Sequence, residues 1–375
     1  PMRIPLSAPD VTEAEVEAVS AILRTSQLSL GPKLEQFEQA MARYVGTSHA
    51  VAVSSGTSGL HLCMLALGVA AGDEVIVPSF TFIAAANAAR YVGATPVFVD
   101  IDPRTLNLDP ARIEEAITPR TRTIVVVHTF GCPAALGEIL DIAGRHRLSV
   151  IEDACEALGA EYDGRRVGSF GDAGVFGFYP NKQITTGEGG MLVTNDPRIA
   201  TLARKLRNQG RGAAGEWLEH EELGYNYRIA EPSCALGIEQ LKRIEAILER
   251  RAAVAGEYQR RLESHPDLDL PPVALARCRI SWFVYVVRLR AHRAPSHRGK
   301  IVEAMASSGI ACGRYFAPIH LQPAYRTQPH RCMDLTQTEL IAPRTLALPF
   351  FNRITDEQIE EVCRTLSDVL GAIQA

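Results

Sequence analysis

The chain has 375 residues, which at roughly 150 residues per domain implies two or three domains. It is 46% hydrophobic and 22% charged, ordinary for a globular protein, and at this length about three quarters of the unfolded surface can be buried, so neither disulfides nor a structural metal are needed for folding. Lys and Arg number 39 against 43 Asp and Glu; a formal charge of −4 excludes a chain built to coat nucleic acid or anionic lipid, though not a local basic pocket.

Eight cysteines, at 63, 132, 155, 234, 278, 312, 332 and 363, form no C-x-x-C pair. They read as buried apolar thiols in a reducing compartment, with no disulfide frame and no metal site. Pro1-Met2-Arg3-Ile4-Pro5 carries no apolar core of signal-peptide length, and no run reaches 18 apolar residues, so the expected address is the cytoplasm.

Thr12 with Glu15 forms a capping box ahead of Val16, Val19, Ile22 and Leu23 at helical spacing. A second helix follows over 32–44. From residue 50, short apolar, β-branched runs alternate with helical stretches. The runs lie at 50–54, 74–78, 95–100, 123–128, 149–153, 174–178 and 190–194. Most are apolar throughout, as strands covered on both faces must be. The alternation predicts an α/β domain on a mostly parallel seven-stranded sheet, with ligands bound beyond the strand ends. A Gly-rich polar loop spans 207–229, longer than a compact protein carries without a function for it. A single helix is expected over 230–264, a boundary at Pro271-Pro272, a strand over 280–290, a helix over 296–307 and a strand over 309–316. A final helix over 355–373 is capped by Thr355 with Gln358. The resulting division is a large domain, 1–250, whose N-terminal segment packs on a smaller α+β domain, 251–375.

Four groups at strand ends carry chemistry. Ser54-Ser55-Gly56-Thr57-Ser58-Gly59 joins a strand to an apolar helix, where free amides and the helix dipole attract an anion; alone it is equally an ordinary capped turn. Asp153 ends the fifth run and points into the crevice, or caps a helix. Lys182 stands between two buried strands, whereas lysine normally sits at an exposed rim; desolvated, its amine becomes a nucleophile toward carbonyls. Phe82, after the second run, can stack on a flat ligand or fill the core. Together, a phosphate cradle, a ring stacker, a carboxylate for a ring nitrogen and a buried lysine are the requirements of pyridoxal 5′-phosphate.

These residues resemble the DegT–DnrJ–StrS family of vitamin B6-dependent sugar aminotransferases, within the aspartate aminotransferase (fold type I) superfamily. The resemblance runs in order through SSGTSGL at 54–60, PSFTFIA at 78–84, GATPVFVDID at 93–102, IEDACEALGA at 151–160, GSFGDAGVFGF at 168–178, KQITTGEGGMLVT at 182–194, LGYNYRIAEPSCALGIEQL at 223–241 and YFAPIHLQPAY at 315–325. It implies that Lys182 binds the cofactor covalently and shuttles the proton, that Asp153 pairs with the pyridine nitrogen, that Phe82 stacks on the ring and that Gly56, Thr57 and Ser58 hold the phosphate. It also implies that Asn226 reaches the phosphate of a neighbouring subunit, making a homodimer with shared sites, and that Tyr315 and His320 lie on the sugar-nucleotide side. Arg211, Arg228 and Arg314 fall on segments suited to a diphosphate, although a solvated surface arginine is the commoner fate of each.

Two positions depart from the family pattern. Glu156 stands where many members have Gln or His near the ring oxygen, and Gly177 stands where many have Ser. The Glu156 variant resembles the perosamine-synthase branch, which aminates C4 of GDP-linked 4-keto-6-deoxymannose. The expected activity is therefore transfer of an amino group from L-glutamate to a nucleotide-linked keto-6-deoxysugar, with no nucleic acid or membrane partner. Other nucleotide sugars (dTDP or UDP, at C3 or C4), a keto-cyclitol, or a non-catalytic cofactor-binding regulator are the alternatives. Lys182 excludes the dehydratase branch, which has His there, and Cys155 is misplaced for a desulfurase.

Overall fold

The computed structural model describes residues 3–212 and 218–373; the centre of the Gly-rich loop, 213–217, lies outside the described residues. The order of elements is α1 (Glu13–Leu23), α2 (Pro32–Val45), β1 (His49–Val53), α3 (Gly56–Ala66), β2 (Glu74–Pro78), α4 (Ala84–Tyr91), β3 (Thr95–Val99), β4 (Thr121–Val127), α5 (Leu136–His146) and β5 (Ser149–Asp153). Then come β6 (Glu161–Tyr162), β7 (Arg165–Arg166), β8 (Ala173–Gly177), β9 (Gly190–Thr194), α6 (Pro197–Arg207), α7 (Glu231–Lys242) and α8 (Ile244–Leu262). The chain ends through β10 (Leu268–Asp269), β11 (Cys278–Arg279), β12 (Tyr285–Leu289), α9 (His297–Ser307), β13 (Arg331–Cys332), α10 (Thr336–Ile341), β14 (Thr345–Leu348) and α11 (Asp356–Ala372).

The main sheet runs β1-β9-β8-β5-β4-β2-β3-β13. Only β9 opposes its neighbours; the pairs from β8 to β13 are parallel. The seven expected strands are all present, and the two-residue β13 adds an eighth at the edge. Side chains alternate across the sheet, so each strand feeds two cores. Ala50, Ala52, Ile124 and Val126 join Phe37 and Met41 of α2 on one side. Val51, Val53, Val125 and Val127 join Leu60, Leu62 and Met64 of α3 on the other. That double burial is why the runs are apolar without alternation. A third core gathers Val254, Tyr258 and Leu262 of α8, Tyr285 and Val287 of β12, Ile359, Val362 and Leu366 of α11, and Ile4 from the N-terminal segment.

Both predicted capping boxes form, Thr12 with Glu15 and Thr355 with Gln358. Three expectations need correction. The helix over 230–264 breaks at Arg243, whose guanidinium is drawn to Glu15 at 2.8 Å and to the Asp10 carbonyl at 2.7 Å. The strand over 280–290 is confined to β12, because the preceding backbone is engaged elsewhere. Ser281 N–H donates to Gly131 O at 3.0 Å, and the Trp282 and Phe283 carbonyls accept from the buried Arg251 guanidinium. Residues 309–316 form no strand, only single bridges, Ile4 to Ile310 and Gly313 to Ala347.

Gly131 marks where these parts meet. Its φ is +83°, and a Cβ there would lie 1.5 Å from Ser281 O. No side chain fits without moving the segment that carries Phe283.

Candidate active site

The ends of β1, β2, β4, β5 and β8 and the start of β9 open onto one cleft of about 520 Å³. Its lining brings together Gly56, Thr57, Phe82, Asp153, Glu156, Lys182 and Tyr315. Strand-end placement follows from the parallel topology, which directs every strand-to-helix loop to the same edge.

Gly56 and Thr57 open α3. Their amides precede the helix's own ladder and have no acceptor among the described residues. Gly56 lies close against Cys155, and a Cβ there would sit 2.8 Å from Sγ, so a side chain would have to displace the thiol. Ser58 does not line the cleft. Its Oγ accepts the Ser55 amide at 3.0 Å while its own amide donates to Ser55 Oγ at 3.0 Å, so it closes the helix cap. Phe82 leaves its side chain 60% exposed at the cleft, unusual for a Phe.

Asp153 is the last residue of β5 and is buried, its Oδ1 accepting the Cys155 amide at 3.2 Å. Its neighbour Glu152 points to the other face of the sheet. There it is fully buried and accepts from the amides of Gly168, Phe170 and Gly171 at 2.7–2.8 Å and from His128 Nε2 at 3.0 Å. His128 Nδ1 accepts the Ala134 amide at 3.0 Å, which places the ring proton on Nε2. Burial opposes ionisation of Glu152, but these donors hold its carboxyl below the ordinary value. The β5 end that presents Asp153 is thus clamped from behind.

Lys182 Nζ sits 4.1 Å from the centre of the Phe283 ring and forms no ion pair among the described residues. The loop around it is pinned on both sides. Gln183 Nε2 donates to Glu156 O at 2.7 Å and Ser281 Oγ at 3.0 Å, and the Thr185 amide donates to Gln240 Oε1 at 3.2 Å. Asn181, beside the lysine, has its Oδ1 buried without a partner among the described residues.

Glu156 is 6% exposed, and its Oε2 accepts the Phe130 amide at 2.8 Å. Burial pushes its carboxyl up to about 7, with Asp153 adding repulsion, while Lys182 and the Phe130 amide pull the other way. In the ligand-free protein the folded state therefore holds a proton that the unfolded chain releases near its ordinary value of 4.5. Stability should fall as pH rises from about 4.5 through about 7, and Glu156→Gln should flatten that dependence. Urea denaturation of both proteins across this range checks it; parallel pH profiles would show that Glu156 titrates as an ordinary carboxylate.

Other predicted residues lie elsewhere. Asn226 is exposed and bridges to Asn208, outside the cleft of its own chain. Arg228 donates to Asn208 Oδ1 at 3.1 Å, Arg211 bridges to His220, and Arg314 is exposed. His320 is held between Ser79 Oγ at 2.7 Å and Glu339 Oε1 at 3.0 Å. The cleft also contains Asn181 and Glu188, which the sequence offered only as neighbours of Lys182, and Tyr179, Phe283 and Phe316, which it gave no role. The Asn181-Lys182 dipeptide was a usable signal for the first pair of these neighbours, whereas Phe283 and Phe316 come from distant segments.

The cleft fits pyridoxal phosphate on its own features, which among the described residues are two free amides at a helix start, an exposed aromatic ring, a buried carboxylate at a strand end, a lysine without an ion pair and an unsatisfied Asn181 oxygen. A sheet of this topology with such a cleft defines a fold type I transferase. The family model for DegT/DnrJ/EryC1/StrS aminotransferases matches residues 9–367, and the chain belongs to that family of pyridoxal phosphate-dependent sugar aminotransferases. It is 41% identical over 371 residues to GDP-perosamine synthase of Caulobacter vibrioides, covering 98% of both proteins. Among solved structures it resembles the aminotransferase TlmJ from Streptoalloteichus hindustanus, with a TM-score of 0.93 and 34% identity over 99% of this chain and 100% of that one. It also resembles DesV of S. venezuelae, with a TM-score of 0.90 and 35% identity over the whole of both chains.

Proposed function

We propose that the chain moves an amino group from L-glutamate to a nucleotide-linked keto-6-deoxysugar, with GDP-linked 4-keto-6-deoxymannose as first substrate. The observation that carries the choice of sugar is the end-to-end identity to a GDP-perosamine synthase; the chemistry rests on Lys182 and Asp153 facing one cleft. Bound pyridoxal phosphate supplies an electron sink for charge developing at the carbon next to the amino nitrogen. Lys182 Nζ would hold the cofactor, take the proton from the donor's α-carbon in the first half-reaction, and deliver a proton to the sugar carbon that receives nitrogen in the second, the proton and the nitrogen being carried on the cofactor between the two. Asp153 holds the proton on the pyridine nitrogen. The Gly56 and Thr57 amides with the Thr57 hydroxyl would hold the phosphate, Phe82 would stack on the ring, and Phe283 with Phe316 would narrow the cleft against water.

In this reading Asn226 serves the partner's phosphate, which accounts for its exposure outside its own cleft, and the enzyme is a homodimer. Tyr315 borders the sugar; Arg211, Arg228, Arg314 and His320 contribute to nucleotide binding only across that dimer or after a rearrangement. The division into domains near residue 250 is supported by α8, whose first half joins the sheet's core and whose second half joins the third core. No helix among the described residues is long and apolar enough to cross a membrane, and we place the enzyme in the cytoplasm.

Gly177 gives a specific prediction. A Cβ there would lie 3.4 Å from Cys155 Cβ and Sγ, an ordinary contact, so a serine fits. Gly177→Ser adds one hydroxyl to the phosphate and should tighten cofactor binding about three- to tenfold, the value of one hydrogen bond. Equilibrium titration of the bound cofactor's absorbance checks it; weaker binding would place the phosphate elsewhere.

The substrate reading is tested by half-reactions. Glutamate alone should convert the bound cofactor to its amino form, and GDP-, dTDP- or UDP-linked keto-sugars are then ranked by how fast each restores the original absorbance. The GDP-linked 4-keto sugar should be fastest. Conversion by glutamate with no return from any nucleotide sugar would move the substrate class to keto-cyclitols.

A further inference from the structure

His61 lies one turn into α3, beyond the free amides that open it. It is 5% exposed, and its Nε2 has no partner among the described residues. Three tyrosines surround the ring edge-on, with centroids at 5.3 Å for Tyr91, 4.8 Å for Tyr225 and 5.9 Å for Tyr227. Its Nδ1 is hydrogen-bonded to Tyr227 Oη at 2.9 Å. A phenylalanine or leucine would fill such a place without leaving a buried nitrogen unpaired. What the imidazole adds is the bond to Tyr227.

Tyr225 and Tyr227 flank Asn226. Their rings stack at 5.1 Å with an interplanar angle of 12°, so both side chains lie on the His61 side. The backbone here is tied to neighbouring chain: Tyr225 N–H to Leu206 O at 2.7 Å, Tyr227 N–H to Arg207 O at 3.0 Å, and Ser54 N–H to Tyr227 O at 2.9 Å. In a bridged, extended segment successive side chains face opposite ways. Two tyrosines held inward therefore display Asn226 outward, and Asn226 is the exposed member of the three.

We infer that His61 is a positioning residue for the other active site: through Tyr227 and Tyr225 it sets the outward presentation of Asn226 to the partner's cofactor phosphate. The inference rests on the shared-site reading above. It assigns to one helix two duties, its N-terminus holding the phosphate of its own site and its first full turn aiming a residue at the neighbour's.

Mixed dimers separate the two directions. One subunit carries Lys182→Ala, so only its partner can be trapped by borohydride. Pyridoxyl incorporation on Lys182 is then read by mass spectrometry against pyridoxal phosphate concentration. With His61→Phe on the Lys182→Ala subunit, half-maximal labelling should require about tenfold more cofactor; on the Lys182-bearing subunit it should be unchanged. Tyr227→Phe, which keeps the ring and removes the hydroxyl, should shift the same arrangement by a smaller factor and stands in if His61→Phe fails to fold. Asn226→Asp in both arrangements is the control for shared sites. If Asn226→Asp acts across the dimer while His61→Phe and Tyr227→Phe act only on their own subunit's site, or on neither, the inference fails alone. If Asn226→Asp itself does not cross, the shared-site reading and the inference fail together.

Discussion

Lys182→Ala should lower kcat by roughly 10⁴-fold or more, because the same nitrogen holds the cofactor and carries the proton in both half-reactions. The rest of the cleft would remain, so the variant should still take up pyridoxal phosphate, more weakly and with the absorbance of the free aldehyde. Lys182→Arg should be equally inactive; a guanidinium keeps the charge over Phe283, 4.1 Å from Nζ in the native protein, yet stays protonated and is no nucleophile. A merely structural lysine would be rescued by arginine. Kinetics with glutamate and a competent keto-sugar, together with the cofactor spectrum of each variant, distinguish these cases. Retention of more than about a tenth of the native rate by either variant would remove Lys182 from the chemistry, since a positioned proton carrier alone contributes about 10²-fold or more.

Asp153→Asn should cost roughly 10²–10³-fold in kcat, the scale on which loss of one preorganised electrostatic partner is felt. An amide can still accept a hydrogen bond but cannot hold a cationic ring nitrogen, so the electron sink weakens while the shape of the cleft persists. The loss should appear in both half-reactions. Asp153→Glu should fare little better, because the carboxylate sits at the fixed end of β5, clamped from behind by the four donors to Glu152. Stopped-flow absorbance of the glutamate half-reaction measures this directly. An unchanged rate in Asp153→Asn would mean that another group holds the ring nitrogen.

Much of this arrangement was legible before the fold. β2 and β9 coincide with their runs because strands buried on both faces leave a largely hydrophobic signature. The cleft residues nearest those runs followed from the rule that parallel sheets bind at strand ends. What stayed hidden depends on contacts between distant segments. Phe283 reaches Lys182 only because the backbone of 281–283 is tied to Gly131 and Arg251 instead of extending β12. At the break Arg243 is tied to Glu15 and Asp10, more than two hundred residues earlier, contacts of which local helix propensity carries no trace. Ser58 reads as a hydroxyl donor by type, but the capping box claims it. Asn226, Arg211 and Arg228 do not line their own cleft; for them the signal was the family resemblance alone, because a site completed by a second subunit leaves no mark in one chain's apolar pattern.

The central claim is that Lys182 holds pyridoxal phosphate in this cleft, and borohydride reduction of the holoenzyme followed by peptide mass mapping tests it most directly. The pyridoxyl group should be found on the peptide containing Lys182 and nowhere else, and prior incubation with glutamate should prevent the label. A pyridoxyl group on Lys33, Lys205, Lys242 or Lys300, with Lys182 unmodified, would contradict the account.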